Sequence, residues 1–361
     1  MRDIKDIRST INEIDAEMRA LFEKRMAAAR EVAEYKASHG IPIKDCEREA
    51  EVIERNASMM ADETLRPYYV SFLQQTMQIS CNYQDMLISG MKVAYSGVAG
   101  AFAYIAACKL FPTARKISYP NFESAYRACV DGECDAVILP IENSFNGEVG
   151  AVTDLMFTGP LLVNGVTDID ISHCLLGVGG ARLSDITTVI SHPQALAQCK
   201  SYIRDHGFDE TEFENTALAA EHVAKLGERS VAAIASETAA ELFGLTVLEK
   251  NINESRSNTT RFAVLSRSEH KHSPAQTGVN SILLFTVKNE AGALAKALDI
   301  IGKHNFNMRT LRSRPMKELM WQYYFYIEAE GNINTREGAR MIEDLSDYCD
   351  RVKVVGTYVK N

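Results

Sequence analysis

Ile4-Lys-Asp-Ile7-Arg-Ser-Thr-Ile11-Asn-Glu-Ile14-Asp-Ala-Glu-Met18-Arg-Ala-Leu21 opens a stretch with no proline or glycine before Gly40. Its apolar residues fall three and four apart, and the series continues through Ala28, Val32 and Tyr35. That spacing is a heptad seam. At 1.5 Å per residue it makes a helix of roughly 48 Å. A lone helix of this length cannot bury its seam, so it must pack on other helices, and a dimer is expected. Gly40-Ile-Pro42 ends it. A second helix is expected over about 45–58 and a third over about 64–88.

One position breaks the seam. The heptad step after Met18 and Leu21 lands on Arg25. Either this arginine snorkels out to water, or it is a buried guanidinium that needs an anionic partner. Arg8 and Lys36 lie on a neighbouring face of the same helix, and Arg48 and Glu49 start the second. Brought together, the four cations would suit a ligand with two carboxylates. No nucleophile, histidine or metal cluster accompanies them. The chemistry would then be charge stabilisation and conformational restriction.

Length and composition bound the rest. The 361 residues predict about two to three domains at roughly 150 residues each. The hydrophobic share of 46% and charged share of 24% are ordinary for globular chains. The net charge of −9 argues against coating nucleic acid or an anionic membrane. The start, MRDIKDIRSTI, is charged and amphipathic, so no secretory signal is expected. No apolar run reaches the length of a membrane span. The eight cysteines form no CxxC pair and no zinc spacing, which points to reduced thiols in a cytoplasmic protein.

Residues 91 to about 267 alternate β-branched runs with helical ones. Strands are expected at 91–95, 115–118, 135–140, 161–166, 187–191, 230–235 and 262–265. This pattern suggests two α/β lobes with a ligand cleft near strand ends. Polar groups collect there: Glu142-Asn143-Ser144, Ser191-His-Pro-Gln194 with Gln198, and Asn258-Thr-Thr-Arg-Phe262. Each alone reads as a cap or turn; three together point to a site. The loop Ser96-Gly-Val-Ala-Gly100 is either a tight turn or an anion cradle. Arg267 to Thr277 is polar and aperiodic and reads as a linker. Residues 279–361 follow the order strand, helix (291–304), strand (308–315), strand (320–328), helix (335–347), strand (351–358), a ferredoxin-like unit.

Arg8, Arg25, Lys36, Asp45, Arg48, Glu49, Ser80 and Gln84 resemble, in order and spacing, the site of the all-helical chorismate mutases. A one-residue deletion before the third helix is needed to reach Ser80 and Gln84. The resemblance implies an intertwined dimer that rearranges chorismate to prephenate. Arg25, with Arg8 of the partner subunit, would hold the two carboxylates. Lys36 and Gln84 would donate to the ether oxygen, Glu49 and Asp45 would contact the ring hydroxyl, and Arg48 and Ser80 would complete the pocket.

Glu142-Asn143-Ser144, Ser191 with Gln198, and Thr260-Arg261-Phe262 resemble the signature segments of prephenate dehydratases. That resemblance implies a two-lobed, periplasmic-binding-protein-like domain expelling the C4 hydroxyl as water and the ring carboxylate as CO2. Thr260 would be the proton donor, supported by a relay through Glu142 or water. Asn143, Ser191 and Gln198 would orient the substrate, and Arg261 would hold a carboxylate or support the fold. Gly100-Ala-Phe-Ala103 lacks the hydroxyls common in that family, and the loop resembles the variant common in arogenate dehydratases and some bacterial relatives.

The final block resembles the ACT regulatory domain, with Gly292-Ala293-Leu294 and Ser313-Arg314-Pro315 as the segments that bind phenylalanine at a subunit interface. Arg312 stands where that family has glutamate. The implied organisation is a mutase at 1–90, a dehydratase at 91–268 and an ACT domain at 279–361. The implied enzyme makes phenylpyruvate from chorismate, is restrained by L-phenylalanine, needs no metal or organic cofactor, and forms a homodimer or homotetramer. The alternatives are a mutase fused to an arogenate dehydratase and a non-enzymatic amino-acid sensor.

Overall fold

A computed structural model describes residues 2–255, 258–316 and 322–359, apart from the side chain of Cys46. The chain forms two compact units, one reaching Lys92 and including Thr113–Arg115, the other holding the remainder.

The first unit is three helices: α1 (Ile4–His39), α2 (Cys46–Ala57) and α3 (Arg66–Ser89). Asp3 caps the start of α1, and Gly40 ends it in the left-handed conformation at φ 64°. Asp45 caps α2 by accepting from the Arg48 backbone N–H. α1 packs on α3 with the small residues Ala29 and Ala33 buried. The seam is not what packs. Ile11 is 49% exposed, Ile14 51% and Leu21 63%. One physical reason is length: α1 runs about 54 Å and α3 about 36 Å, so α3 cannot cover the whole of α1.

The second unit begins with a lobe of β1 (Lys92–Ser96), α4 (Phe102–Leu110), β2 (Arg115–Tyr119), α5 (Phe122–Val130), β3 (Ala136–Asn143), β4 (Gly147–Glu148), α6 (Gly150–Thr158) and β5 (Leu162–Asp170). The chain then crosses to a second lobe: β6 (Cys174–Gly177), β7 (Thr188–Ser191), α7 (Pro193–Gln198), α8 (Lys200–His206), β8 (Asp209–Glu212), α9 (Thr216–Leu226), β9 (Val231–Ala235), α10 (Glu237–Phe243) and β10 (Thr246–Glu249). It crosses back into β11 (Thr259–Ser266), which lies between β5 and β3 and antiparallel to both. Two lobes joined by two crossings give a central cleft. β4, β6, β8 and β10 were not expected. They are two to four residues long, and β8, Asp-Glu-Thr-Glu, is wholly exposed.

The C-terminal module is β12 (Val279–Thr286), α11 (Ala293–Lys303), β13 (Asn307–Pro315), β14 (Tyr323–Glu330), α12 (Arg336–Tyr348) and β15 (Arg351–Val359). Its strands run β13-β14-β12-β15, the ferredoxin-like order. The expected start of β14 at 320 lies outside the described residues. The segment 267–277 is not a free linker. Arg267 donates to the Cys129 and Cys134 carbonyls, and Asn164 bonds Ser266, Ser268 and His270.

The module's sheet continues into the first lobe, because β15 pairs in parallel with β5 at Gly356↔Val163. Gly356 has φ 151°, and a Cβ there would collide with the Val163 backbone. Gly356→Ala is therefore expected to cost about 1–3 kcal/mol, read as a lower midpoint in thermal unfolding; an unchanged midpoint would contradict this junction.

Among the described residues no cysteine forms a disulfide. Burial pushes the Cys129 and Cys199 thiols up to about 12, which makes them packing groups, not nucleophiles. No described helix is long and apolar enough to cross a membrane, and no described cluster suits a metal.

Candidate functional sites

In the helical unit the arginine that breaks the seam turns inward. Arg25 Nη1 donates to the Thr76 carbonyl at 3.2 Å and to the Ser80 hydroxyl. Ser80 and Gln84, one turn apart on α3, are buried, and Gln84 Oε1 has no hydrogen-bond partner. Lys36 Nζ donates to the Ile43 carbonyl at 2.5 Å. Glu49 Oε1 accepts from Cys81 Sγ at 3.4 Å. Burial, then Glu49, raises the Cys81 thiol, while Lys36 and Lys44 oppose the shift. Arg25, Lys36, Glu49, Ser80 and Gln84 thus face the side where α1, α2 and α3 meet. Asp45 is spent on capping α2, and Arg48 pairs with Glu51 on the surface at 2.6 Å. Arg8 lies exposed near the start of α1.

In the second unit a cavity of about 550 Å³ lies between the lobes. Asn143, Gln198 and Thr260 line it, as do Asn121, Asn146, Glu148, His173, His192, Gln194 and Asn215. Asn143 organises the floor. Its Oδ1 accepts from the Phe145 and Asn146 backbone N–H groups, both at 3.0 Å. Its Nδ2 donates to Asn258 Oδ1 at 3.0 Å and to Thr260 Oγ1 at 2.9 Å. Thr260 Oγ1 is therefore an acceptor for the amide, which leaves its own proton to point elsewhere. Gln198 Oε1 accepts from Asn258 Nδ2 at 3.0 Å and bonds His173 Nε2 at 2.9 Å. One network thus runs from Thr260 through Asn143, Asn258 and Gln198 to His173.

Among the described residues no lysine or arginine lines this cavity. Four helices of nine or more residues, α4, α5, α6 and α9, start at its wall, where Ala101, Phe102, Asn121, Phe122, Val149, Asn215 and Thr216 are lining residues. Their first N–H groups and dipoles supply positive potential without a fixed cation. Gly97 of the glycine loop also lines the cavity, and Gly100, with φ 88°, brings its carbonyl to the Ser236 hydroxyl of the other lobe at 2.9 Å.

Four expected residues are elsewhere. β3 and β11 pair Asn143 with Thr260 and Glu142 with Arg261. Successive strand residues face opposite sides, so Glu142 and Arg261 turn away from the cavity. Arg261 donates to Glu328 at 2.9 and 3.0 Å, to Tyr358 at 2.9 Å and to Glu142 at 3.3 Å. The relay from Thr260 through Glu142 is not formed, because Glu142 bonds Arg261 and Arg312 instead. Burial works to raise the Glu328 carboxyl, but Arg261 and Tyr358 outweigh it and hold it below the ordinary range. Ser191 Oγ donates to the Ile234 carbonyl at 2.5 Å inside the second lobe. Ser144 Oγ accepts from the Thr259 backbone N–H at 2.9 Å.

The expected effector segments do not converge within one chain. Leu294 borders a small cavity with Glu290, Tyr323 and Phe325. Pro315 borders a different one with Phe122, Phe157 and Tyr324. Gly292 caps α11 at φ 81° and Ala293 is its first residue. Ser313 lies on β13, and Arg314 donates to Asp154 at 3.0 and 3.2 Å.

A three-helix unit with an inward-facing arginine, joined to a two-lobed α/β unit with an interlobe site, defines a protein with two separate small-molecule centres. The comparisons agree with that division. Residues 7–85 match the family model "Chorismate mutase type II" and residues 93–270 match "Prephenate dehydratase". The chain is 31% identical to a bifunctional chorismate mutase/prephenate dehydratase of Enterobacter agglomerans, over 98% of this chain and 95% of that one. Two solved structures each cover about three quarters of it. One is described as a novel type of quorum-quenching acylase (32% identity, 98% of that chain, TM-score 0.70). The other is a prephenate dehydratase in complex with L-Phe from Arthrobacter aurescens (27%, 90% of that chain, TM-score 0.68). The chain belongs to the bifunctional chorismate mutase/prephenate dehydratase family. It rearranges chorismate to prephenate and converts prephenate to phenylpyruvate, two steps of phenylalanine biosynthesis.

Proposed function

We propose that the two reactions occur at the two centres described, with Arg25, Lys36, Glu49, Ser80 and Gln84 serving the mutase and Asn143, Gln198 and Thr260 serving the dehydratase. The single observation that carries the dehydratase assignment is the Asn143 amide donating to Thr260 Oγ1. That bond turns the hydroxyl into a donor aimed away from Asn143, suited to the departing C4 oxygen. A pericyclic rearrangement needs only the reactive conformer and donors at the ether oxygen, which a cluster built around Arg25, Lys36 and Gln84 would supply. Ser144, Ser191, Glu142 and Arg261 would act by holding the strands. The test follows chorismate consumption, then phenylpyruvate absorbance in alkali, on the full chain. Either activity missing from the pure protein would overturn the paired assignment.

The exposed seam supports an intertwined dimer in which the overhanging part of α1, with Arg8, reaches the mutase site of the partner. The expected result for Ile11→Asp with Ile14→Asp is a halved mass by light scattering and loss of mutase turnover. A variant that keeps its mass would exclude the seam as the interface.

The C-terminal module reads as a phenylalanine-sensing ACT domain at 279–361, after a dehydratase at 91–268 and a mutase at 1–90. Its ferredoxin-like order supports this, as does the L-Phe complex of the Arthrobacter aurescens relative. Because Leu294 and Pro315 border different cavities, an effector site would be completed across a subunit interface. Arg312 would not repel the effector's ammonium, since Glu142 already pairs with it. A reduced, cytoplasmic enzyme is supported by the described cysteines, which form no disulfide.

Arogenate is the second reading for the dehydratase. Glu148 lines the cavity, and its Oε1 accepts no hydrogen bond, its ion pair with Arg314 being long at 3.8 Å, which leaves an acceptor for the extra ammonium of that substrate. Turnover of the two substrates measured side by side separates the readings.

A further inference from the structure

The dehydration consumes a proton: the prephenate dianion and one proton give the phenylpyruvate monoanion, CO2 and water. The C4–O bond breaks with its electron pair going to oxygen, and the C–C bond to the ring carboxylate supplies the pair that completes the aromatic ring. The threonine hydroxyl can pass a proton on but, being a weak acid, cannot store one. Something in the cavity must take up a proton from water and hold it against the dianion.

Three titratable side chains line the cavity among the described residues: Glu148, His173 and His192. Glu148 Oε1 is ion-paired with Arg314 at 3.8 Å. His192 caps α7, its Nδ1 accepting from the Gln194 N–H at 3.2 Å, so protonation at Nδ1 would break that cap. His173 differs. It sits at the crossing between the lobes and is 2% exposed. Its backbone is fixed on both sides, the N–H by Asn253 Oδ1 at 3.1 Å and the carbonyl by the Ile252 N–H at 2.9 Å. Gln198 Oε1 already receives the Asn258 amide, so the shared bond requires a proton on His173 Nε2. That leaves Nδ1 as a lone pair, buried and with no hydrogen-bond partner.

Phe102 stands edge-on to the ring at 5.8 Å. Among the described residues, His173 bonds Gln198 of α7 and Asn253, and Phe102 of α4 is its ring neighbour; none of these carries charge, and Glu254 bonds Ser201. Burial holds the imidazole below its ordinary range in the free protein. A dianion entering a cavity with no lysine or arginine among its described lining residues reverses that balance, because it favours the imidazolium as a counter-charge.

Resting on the assignment of this cavity to the dehydratase, we infer that His173 takes up the consumed proton on Nδ1 when the dianionic substrate binds and delivers it to the departing C4 oxygen. Thr260 then orients that oxygen by its hydrogen bond. After each turnover His173 is neutral again and is recharged with the next substrate.

The test uses the full chain with prephenate. For the wild type, kcat/KM reports the free enzyme and should fall about tenfold per pH unit above neutrality, while kcat stays flat. His173→Gln keeps a donor toward Gln198 and cannot be charged; it should lower kcat about 10²-fold or more and abolish the slope. An unchanged slope, or a kcat within about threefold of wild type, overturns the inference. A second measurement does not depend on the His173 variant: calorimetry at pH 7.5 in two buffers of different ionisation heat, with the ring-saturated dicarboxylate that cannot aromatise. Uptake of about one proton per site is expected in the wild type and in His192→Asn, whose asparagine retains the cap. Absence of uptake in the wild type, or its loss in His192→Asn, refutes the role. If Thr260→Val is also fully active, the cavity assignment has failed; if Thr260→Val is inactive and His173→Gln is not, only this inference has.

Discussion

Arg25→Ala is expected to lower chorismate turnover by about 10²–10³-fold while dehydration of added prephenate is unchanged. The guanidinium is half-buried in its own helix unit and bonds a backbone carbonyl and a hydroxyl of α3. Alanine removes the cation that would face the substrate carboxylate. It also frees Ser80 and the Thr76 carbonyl, so the pocket loses both charge and shape. Lysine should not restore it, because a point charge cannot reproduce the fork geometry. The paired assay is the check: both activities measured on one preparation. Mutase turnover within about tenfold of wild type would remove Arg25 from the site, and loss of both activities would mean that the variant is misfolded.

Thr260→Val should be as severe on the other side, with dehydration falling about 10²–10³-fold and mutase turnover intact. Valine matches threonine in shape, so packing between β3 and β5 is kept. What goes is the hydroxyl, and with it the acceptor for the Asn143 amide 2.9 Å away. Thr260→Ser should recover much of the rate. Retained dehydration in the valine variant would show that this hydroxyl does not touch the leaving group.

The long elements were readable because their periods are long. The three helices of the first unit and the expected strands fall within a few residues of expectation, since heptad spacing and β-branched runs survive any tertiary context. β8 was not readable: its Asp-Glu-Thr-Glu has no apolar member, and only pairing with β7 makes it a strand. The supposed linker at 267–277 looked free because its partners, such as Asn164 and Cys129, lie more than 100 residues away. His173 carried no signal of its own, standing alone in Ile-Ser-His-Cys. Its meaning depends on Gln198 and Asn258, which the fold brings to it.

The misplaced pair Glu142 and Arg261 is more instructive. The alternation that separates them from Asn143 and Thr260 was available in the sequence, because adjacent strand residues cannot share a face. What hid it was that all four residues sit in the same short signatures.

That alternation affects how any scan of this protein must be interpreted. On each of the two strands a residue that lines the interlobe cavity, Asn143 or Thr260, has an immediate neighbour, Glu142 or Arg261, turned to the C-terminal module. A side chain such as Arg261 can therefore be indispensable to turnover without ever meeting a substrate, simply because it shares a peptide bond with one that does. Loss-of-function mapping would draw a catalytic outline that spills across the sheet into Glu328 and Tyr358. Chemical shifts or ligand footprints would draw a smaller one, confined to a single side. The gap between the two outlines measures how far the sheet's back surface is committed to holding its front in register.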